Sequence, residues 1–154
     1  MNDKIMIVSS NRADLGLLLP LVNSLKKKIK LEFILTGSHF IKYYGNTSEI
    51  VKNKKIKFSK INIGKKFENE INALNTVSLT IKKFSKYLKK KKIKKIILLG
   101  DRYEIFSIAI SAFVLKIPII HLHGGETTLN AMDNVFRHSI SLMATHHFVI
   151  HEDY

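Results

Sequence analysis

The 154-residue sequence has no cysteine and no tryptophan, two prolines and seven glycines. Without cysteine there is no disulfide, thiolate metal site or cysteine nucleophile, a composition that fits a reducing compartment. No apolar run approaches the roughly 18 residues that span a bilayer. Met1-Asn2-Asp3-Lys4 leads directly into an apolar stretch, without the pattern of a signal peptide. The expectation is a cytoplasmic protein that does not contact a membrane. Scarce proline and glycine, beside 45% hydrophobic residues, argue against a disordered chain, and the length suits one domain. Neither G-x-G-x-x-G nor G-x-x-x-x-G-K-[ST] occurs, which disfavours a nicotinamide or P-loop nucleotide site.

Acidic residues are also few, 12 against 26 lysines and arginines, for a formal net charge of +14. Such a surplus is the electrostatic footprint of polyanion binding, so a basic module for nucleic acid or another polyanion is one reading. The lysines, however, fall at the ends of apolar elements: Lys26 to Lys28, Lys54-Lys55, Lys65-Lys66, Lys89 to Lys92 and Lys94-Lys95. That placement suits a solvated surface. Arginine is confined to Arg12, Arg102 and Arg137, all inside motif regions where a forked donor suits phosphate or carboxylate. A nucleic-acid reader would use more arginine forks and interleaved aromatics, so nucleic acid is not the expected partner.

What is present is an alternation of short apolar runs and amphipathic stretches. Lys4 to Ser9, Leu31 to Thr36, Ile56 to Ile63, Lys95 to Leu99, Pro118 to Leu122 and His147 to Ile150 read as strands. Between them, helices are predicted from the turn at Asn11 or Asp14 to Lys28, over Ser48 to Asn53, Ile71 to Lys90, Tyr103 to Leu115 and Ala131 to Thr145. Pro20 falls in the second turn of the first helix, which suggests an irregular first turn or a later start. Leu74, Val77, Ile81, Phe84 and Leu88 mark the buried face of the third, and the fourth is apolar almost all round. Tyr43 to Thr47 and Gly64 to Asn69 read as loops. This order requires an α/β fold, a three-layer Rossmann-like parallel sheet, with ligands at the carboxyl ends of the strands.

The polar strand ends are therefore the candidate site. Arg12 follows the first strand, where it could meet a phosphate or make a surface ion pair. His39 follows the second, as a sugar or phosphate contact or a loop hydrogen-bonder. Asp101, with Arg102 and Glu104, follows the fourth, and Asp101 could equally cap the next helix. The fifth ends in His121-Leu122-His123-Gly124-Gly125-Glu126. On a strand His121 and His123 would point to one side and with Glu126 could suggest zinc, but no further ligand pair has metal spacing, so no metal is expected. Asp133, Arg137 and His138 share a helix, where Asp133 and Arg137 at i,i+4 alone would be a helix-surface ion pair. His146 and His147 read as structural.

Together, Ser10-Asn11-Arg12-Ala13-Asp14-Leu15-Gly16, Thr36-Gly37-Ser38-His39, Gly100-Asp101-Arg102-Tyr103-Glu104, Ile119-Ile120-His121-Leu122-His123-Gly124-Gly125-Glu126 and Asp133-x-x-x-Arg137-His138-Ser139-Ile140 resemble the hydrolysing UDP-N-acetylglucosamine 2-epimerases of the sialic acid branch. The resemblance implies a GT-B architecture, two Rossmann-like domains with the sugar nucleotide between them, of which residues 1–154 match the N-terminal one. It further implies loss of the C2 proton as UDP leaves C1. Water then adds to the glycal-like intermediate, giving N-acetylmannosamine and UDP, with neither metal nor NAD. Such chemistry needs an acid and a base on defined ring faces and cationic help for the diphosphate. By motif position Asp101 and Asp133 match the family's catalytic carboxylates. Arg12 matches an arginine near the phosphates, and His39, Arg102, Glu104, Gly124, Gly125, Arg137 and His138 fall among the substrate-binding motifs. Where several members carry a catalytic glutamate this chain has His123, so either His123 or Glu126 takes that role or it is partly vacant. The resemblance also implies a missing C-terminal domain and a homo-oligomer in the full-length form. A GT-B glycosyltransferase half is the rival within this fold.

Overall fold

A computed structural model describes residues 3–45, 47–64, 69–129 and 131–154. Apolar runs form β1 (Lys4–Ser9), β2 (Lys30–Leu35), β3 (Ser59–Lys60), β4 (Lys95–Leu99), β5 (Ile119–Leu122) and β6 (His146–Phe148). All pair in parallel, in the order β3-β2-β1-β4-β5-β6. Between them lie α1 (Arg12–Leu25), α2 (Ser48–Asn53), α3 (Glu70–Lys91), α4 (Tyr103–Val114) and α5 (Asp133–Met143). This is the expected Rossmann-like architecture.

Alternate strand residues face opposite sides, so the continuous apolar runs make two cores. Met6, Val8, Ile96 and Leu98 pack with Phe84, Leu88, Ile105, Ile108 and Ile140 from α3, α4 and α5. Ile7, Phe33, Leu35, Ile97 and Leu99 pack with Leu15, Leu18, Val22 and Val51 from α1 and α2. Burying a side chain of this size stabilises the fold by about 1.5–3 kcal/mol. The apolar α4 lies between α3 and α5, with Ile105, Ile108, Ala109 and Ala112 wholly buried.

Local physics moves several boundaries. The α1 helix starts at Arg12 and continues through Pro20, contrary to the expected irregular start. Asn11 caps it, its side chain accepting from the Asp14 amide at 3.0 Å. Pro20 is exposed, and burial of Leu15, Leu18, Leu19 and Val22 offsets its missing amide. The strand expected over 56–63 is reduced to Ser59 and Lys60, which pair with Ile34 and Leu35 at the sheet edge. Its flanks leave the ladder and act as plugs, Ile56 in one core and Ile61 and Ile63 in the other. Only Phe84 and Leu88 of the expected α3 face are buried, and Leu74 is exposed. A 22-residue helix is about 33 Å long, whereas a strand of five or six residues spans about 17–20 Å. The first turns of α3 therefore overhang the rim of the sheet. The loop expected at 43–47 contains a short 3-10 turn over Lys42–Tyr44 closed by Gly45, while Asn46 lies outside the described residues. Most of the turn expected at 64–69 also lies outside them.

Parallel strands with antiparallel helices give the sheet two unlike rims. One collects strand ends and helix starts. The other collects strand starts and helix ends, and with them Lys26 to Lys28, Lys30, Lys54, Lys55, Lys89 to Lys92, Lys94, Lys95 and Lys116.

Candidate active site

In the strand order, β1 is flanked by β2 on one side and β4 on the other, so chain progression reverses between β1 and β4. Open α/β sheets bind ligands at that crevice, at the carboxyl ends. A hollow of about 360 Å3 lies there, lined by Asn11, Arg12, Gly37, Ser38, Tyr44, Gly64, Thr76, Arg102, Tyr103 and Glu104 among others. The loops after β1 and β2 are tied together beneath it. The Ser38 amide donates to the Ser10 carbonyl at 2.9 Å and its hydroxyl to the same oxygen at 3.1 Å. A Cβ on Gly37, at φ +58, would stand 2.6 Å from that carbonyl, so the loops can meet only over a glycine.

Charges around the hollow differ in how far they are committed. Arg12, exposed at the start of α1, makes no ion pair among the described residues. Arg102 is held by Glu104 through two parallel bonds, 3.1 Å from Nε to Oε2 and 3.0 Å from Nη2 to Oε1. Burial opposes the Arg102 charge, but the buried Glu104 carboxylate outweighs it and raises the pKa. Burial likewise pushes the Asp14 carboxyl up, against a 3.0 Å hydrogen bond from the Ser10 hydroxyl. Tyr103 is raised by burial and by Glu104.

A second group of side chains lies at the ends of β4 and β5. Asp101 does not cap α4: that place falls to Arg102. Instead the Asp101 carboxylate accepts from Nη2 of Arg137, while Nη1 of the same guanidinium donates to the Glu126 carbonyl at 2.6 Å. Arg137 is 7% exposed. It therefore does not form the i,i+4 pair with Asp133 that the helix alone suggests. Asp133 stands exposed one turn earlier on α5, so the Asp101 and Asp133 carboxylates share one end of the sheet. Glu126 Oε1 is buried and has no hydrogen-bond partner among the described residues.

The two histidines of H-x-H part company. His123 adopts φ +58, leaving the strand pleat that would have put it on the same side as His121. Its amide donates to the Phe148 carbonyl at 2.8 Å, and the residue is half-buried. His121 is wholly buried, with Nε2 2.8 Å from the Gly100 carbonyl and Nδ1 3.0 Å from the Ser141 hydroxyl. With both ring nitrogens engaged it offers no ligand to a metal. Gly124 sits against this pair and Gly125 turns at φ +85. The His39 ring is wholly buried between Ser9 Oγ at 2.8 Å and Thr47 Oγ1 at 2.5 Å, and burial pushes its pKa down to about 4. It does not line the hollow. His138 is exposed on α5, and His146 and His147 form an exposed edge strand.

The structure thus brings Arg12, Arg102 and Glu104 to one hollow and Asp101, Glu126 and Arg137 to one cluster beside it. Sequence reasoning did not single out Asp14 or Tyr103 for the site, and it weighed His121 beside His123 as a metal ligand rather than as a buried bridge. The signal for the buried role of His121 was its place inside an otherwise apolar strand, where a polar ring needs a hydrogen-bonded partner. An unpartnered carboxylate oxygen is equipped to accept a proton, and a guanidinium without an ion pair among the described residues, Arg12, is equipped to neutralise an anionic group.

The fold is similar to the UDP-GlcNAc 2-epimerase from Neisseria meningitidis bound to UDP-GlcNAc, with a TM-score of 0.83 and 22% identity, covering 97% of this chain and 41% of that one. In sequence the chain is 41% identical over 154 residues to the GDP/UDP-N,N'-diacetylbacillosamine 2-epimerase (hydrolyzing) of Campylobacter jejuni, covering 98% of this chain and 40% of that protein. It is 37% identical over 156 residues to polysialic acid biosynthesis protein P7 of Escherichia coli, covering 98% and 39%. The chain spans about 40% of the length of these relatives. The family model described as UDP-N-acetylglucosamine 2-epimerase matches residues 23–154. On that match, which takes in β2 through β6 and every candidate residue except Arg12, the chain belongs to the UDP-N-acetylglucosamine 2-epimerase family.

Proposed function

We propose that residues 1–154 form the N-terminal half of a two-domain hydrolysing 2-epimerase, which converts UDP-N-acetylglucosamine and water to N-acetylmannosamine and UDP. A carboxylate takes the C2 proton as the C1–O bond breaks and UDP departs, leaving a C1–C2 double bond. Water then supplies hydroxyl to C1 and a second acid delivers a proton to the opposite face of C2. The observation that carries this reading is the cluster in which Arg137 joins Asp101 to the Glu126 loop while Glu126 Oε1 stays buried and, among the described residues, unpartnered. It favours Glu126 over His123 for proton transfer, because Glu126 Oε1 is buried with no hydrogen-bond partner among the described residues. Asp101 and Asp133 are the further acid–base groups, and Arg12 is the cation uncommitted before the diphosphate arrives. Gly124, Gly125, Arg102, Glu104 and His138 border the sugar-nucleotide path, and His39 supports the loops beneath it.

In the full-length enzyme, Glu126→Gln and Asp101→Asn are expected to lower kcat by about 10²–10⁴, the range of general acid–base catalysis. His123→Gln should cost less than tenfold. A His123 variant that is dead while Glu126→Gln stays active reverses the assignment. The 154-residue chain alone should release no UDP from the substrate, since half the cleft lies in the second domain; full turnover by this chain overturns the two-domain reading. Free N-acetylmannosamine as product separates an epimerase from a glycosyltransferase half. The 41% identity to the Campylobacter jejuni relative favours a second substrate, UDP-N,N'-diacetylbacillosamine. The ratio of kcat/KM for the two sugars decides between them. Exposed Phe113, Val114 and Leu115 at the end of α4 support a homo-oligomer, which light scattering measures.

A further inference from the structure

We propose that His121 is a positioning residue, a neutral imidazole that bridges three segments and sets the distances between the candidate carboxylates. The inference rests on the acid–base reading of Asp101, Asp133 and Glu126. A carbonyl only accepts, so the ring nitrogen 2.8 Å from the Gly100 carbonyl, Nε2, carries the hydrogen. In the neutral ring Nδ1 is then a lone pair, and it accepts from the Ser141 hydroxyl 3.0 Å away. Burial holds the His121 pKa below the usual histidine range, so this tautomer persists at neutral pH.

Each partner stands next to a candidate catalytic group. Gly100 immediately precedes Asp101 at the end of β4. Ser141 lies one turn beyond Arg137 and two beyond Asp133 on α5, so the three share a helix face. The loop that carries Glu126 rests on the same pair: a Cβ on Gly124 would come within 2.7 Å of Ser141 Oγ and 2.8 Å of His121 Nδ1. One imidazole therefore ties the end of β4 to the last turn of α5 and to the seat of the glycine loop. Arg137 repeats the link on the solvent side by holding Asp101 and the Glu126 carbonyl. Two cross-links of different chemistry restrain the same three segments, as sub-ångström placement of acid and base demands.

The test is a double-mutant cycle in the full-length enzyme with His121→Gln and Ser141→Ala. Glutamine reaches the Gly100 carbonyl but has no acceptor where Nδ1 stood. Each single variant is expected to lower kcat about tenfold to a hundredfold, with KM changed less than threefold. The double variant should be no worse than His121→Gln alone, because both changes remove one bond. In parallel, the imidazole nitrogen resonances of the 154-residue chain should show the Nε2-protonated neutral tautomer of His121 between pH 6 and 8. Additive losses, a kcat within twofold of the parent for folded Ser141→Ala, or an Nδ1-protonated or charged ring overturns the proposal. A parent enzyme with no epimerase activity overturns the functional reading instead, and the tautomer together with coupling in thermal unfolding then decides the bridge.

Discussion

At the scale of single residues, strain and proton linkage give measurable handles. Lys55, Lys92 and Lys116 take φ of 52, 52 and 56 where α2, α3 and α4 end. A left-handed residue closes many helices, and glycine adopts that conformation without the Cβ penalty. Lys92→Gly is therefore expected to raise stability by about 0.5–1 kcal/mol, read from urea midpoints; a loss instead means the lysine charge at the α3 terminus outweighs the strain. Acid should act in two steps. His39 has its pKa lowered to about 4, so the unfolded chain takes up this proton first and stability falls as pH drops from about 6.5 toward 4. Glu32 follows. Burial opposes its charge, but bonds from Lys4, Tyr87 and Ser59 hold its pKa down to about 2. Its contribution is complete above about 4.5 and is lost as pH falls toward 2. Unfolding free energies for Glu32→Gln should show a shallower decline in the lower window and none of the change in the upper one.

At the scale of elements, α5 is the piece on which the site depends most, and the core holds it by little apolar burial. Its buried residues are Arg137 and Ile140, one cation and one apolar side chain. Ile140→Ala is expected to destabilise by about 2–4 kcal/mol through the cavity it leaves. Because Arg137 and Asp133 ride on this helix, kcat should fall along with the melting temperature. An unchanged kcat in the folded variant would show that Arg137 alone fixes the helix. The position of α5 was partly legible beforehand: its start and end were within two residues of those expected, since an isoleucine and a phenylalanine facing the core give a helical period. The partner of Arg137 was not. A pair four residues apart is a sequence signal, whereas Asp101 lies 36 residues away and is reached only when α5 packs across the ends of β4 and β5. The third strand shows the converse failure. Ile56, Ile61 and Ile63 are buried and Phe58 partly so, but an apolar pattern does not specify a ladder when the segment lies at a sheet edge.

At the scale of the whole molecule, charge is sorted by the topology. Helix ends and strand starts carry Lys26 to Lys28, Lys30, Lys54, Lys55, Lys89 to Lys92, Lys94, Lys95 and Lys116 to the rim opposite the candidate site, and the three arginines stand at the other. With a net charge of +14 the folded chain repels itself. Added salt screens exposed charges beyond about 10 Å at 0.1 M, so the melting temperature should rise between 0.02 and about 0.3 M sodium chloride. A fall would mean that attractive pairs dominate, against the few ion pairs seen among the described residues.

The sequence by itself determined the parallel sheet, the order of its helices and the rim at which the polar motifs emerge, because two-residue and 3.6-residue periods are local properties of the chain. Tertiary structure alone decided that His39 is enclosed, that His121 and His123 diverge, and that Arg137 turns from Asp133 to Asp101. Those outcomes depend on which buried donor finds which acceptor across the strands, and a hydrogen bond between distant segments leaves no period in the sequence.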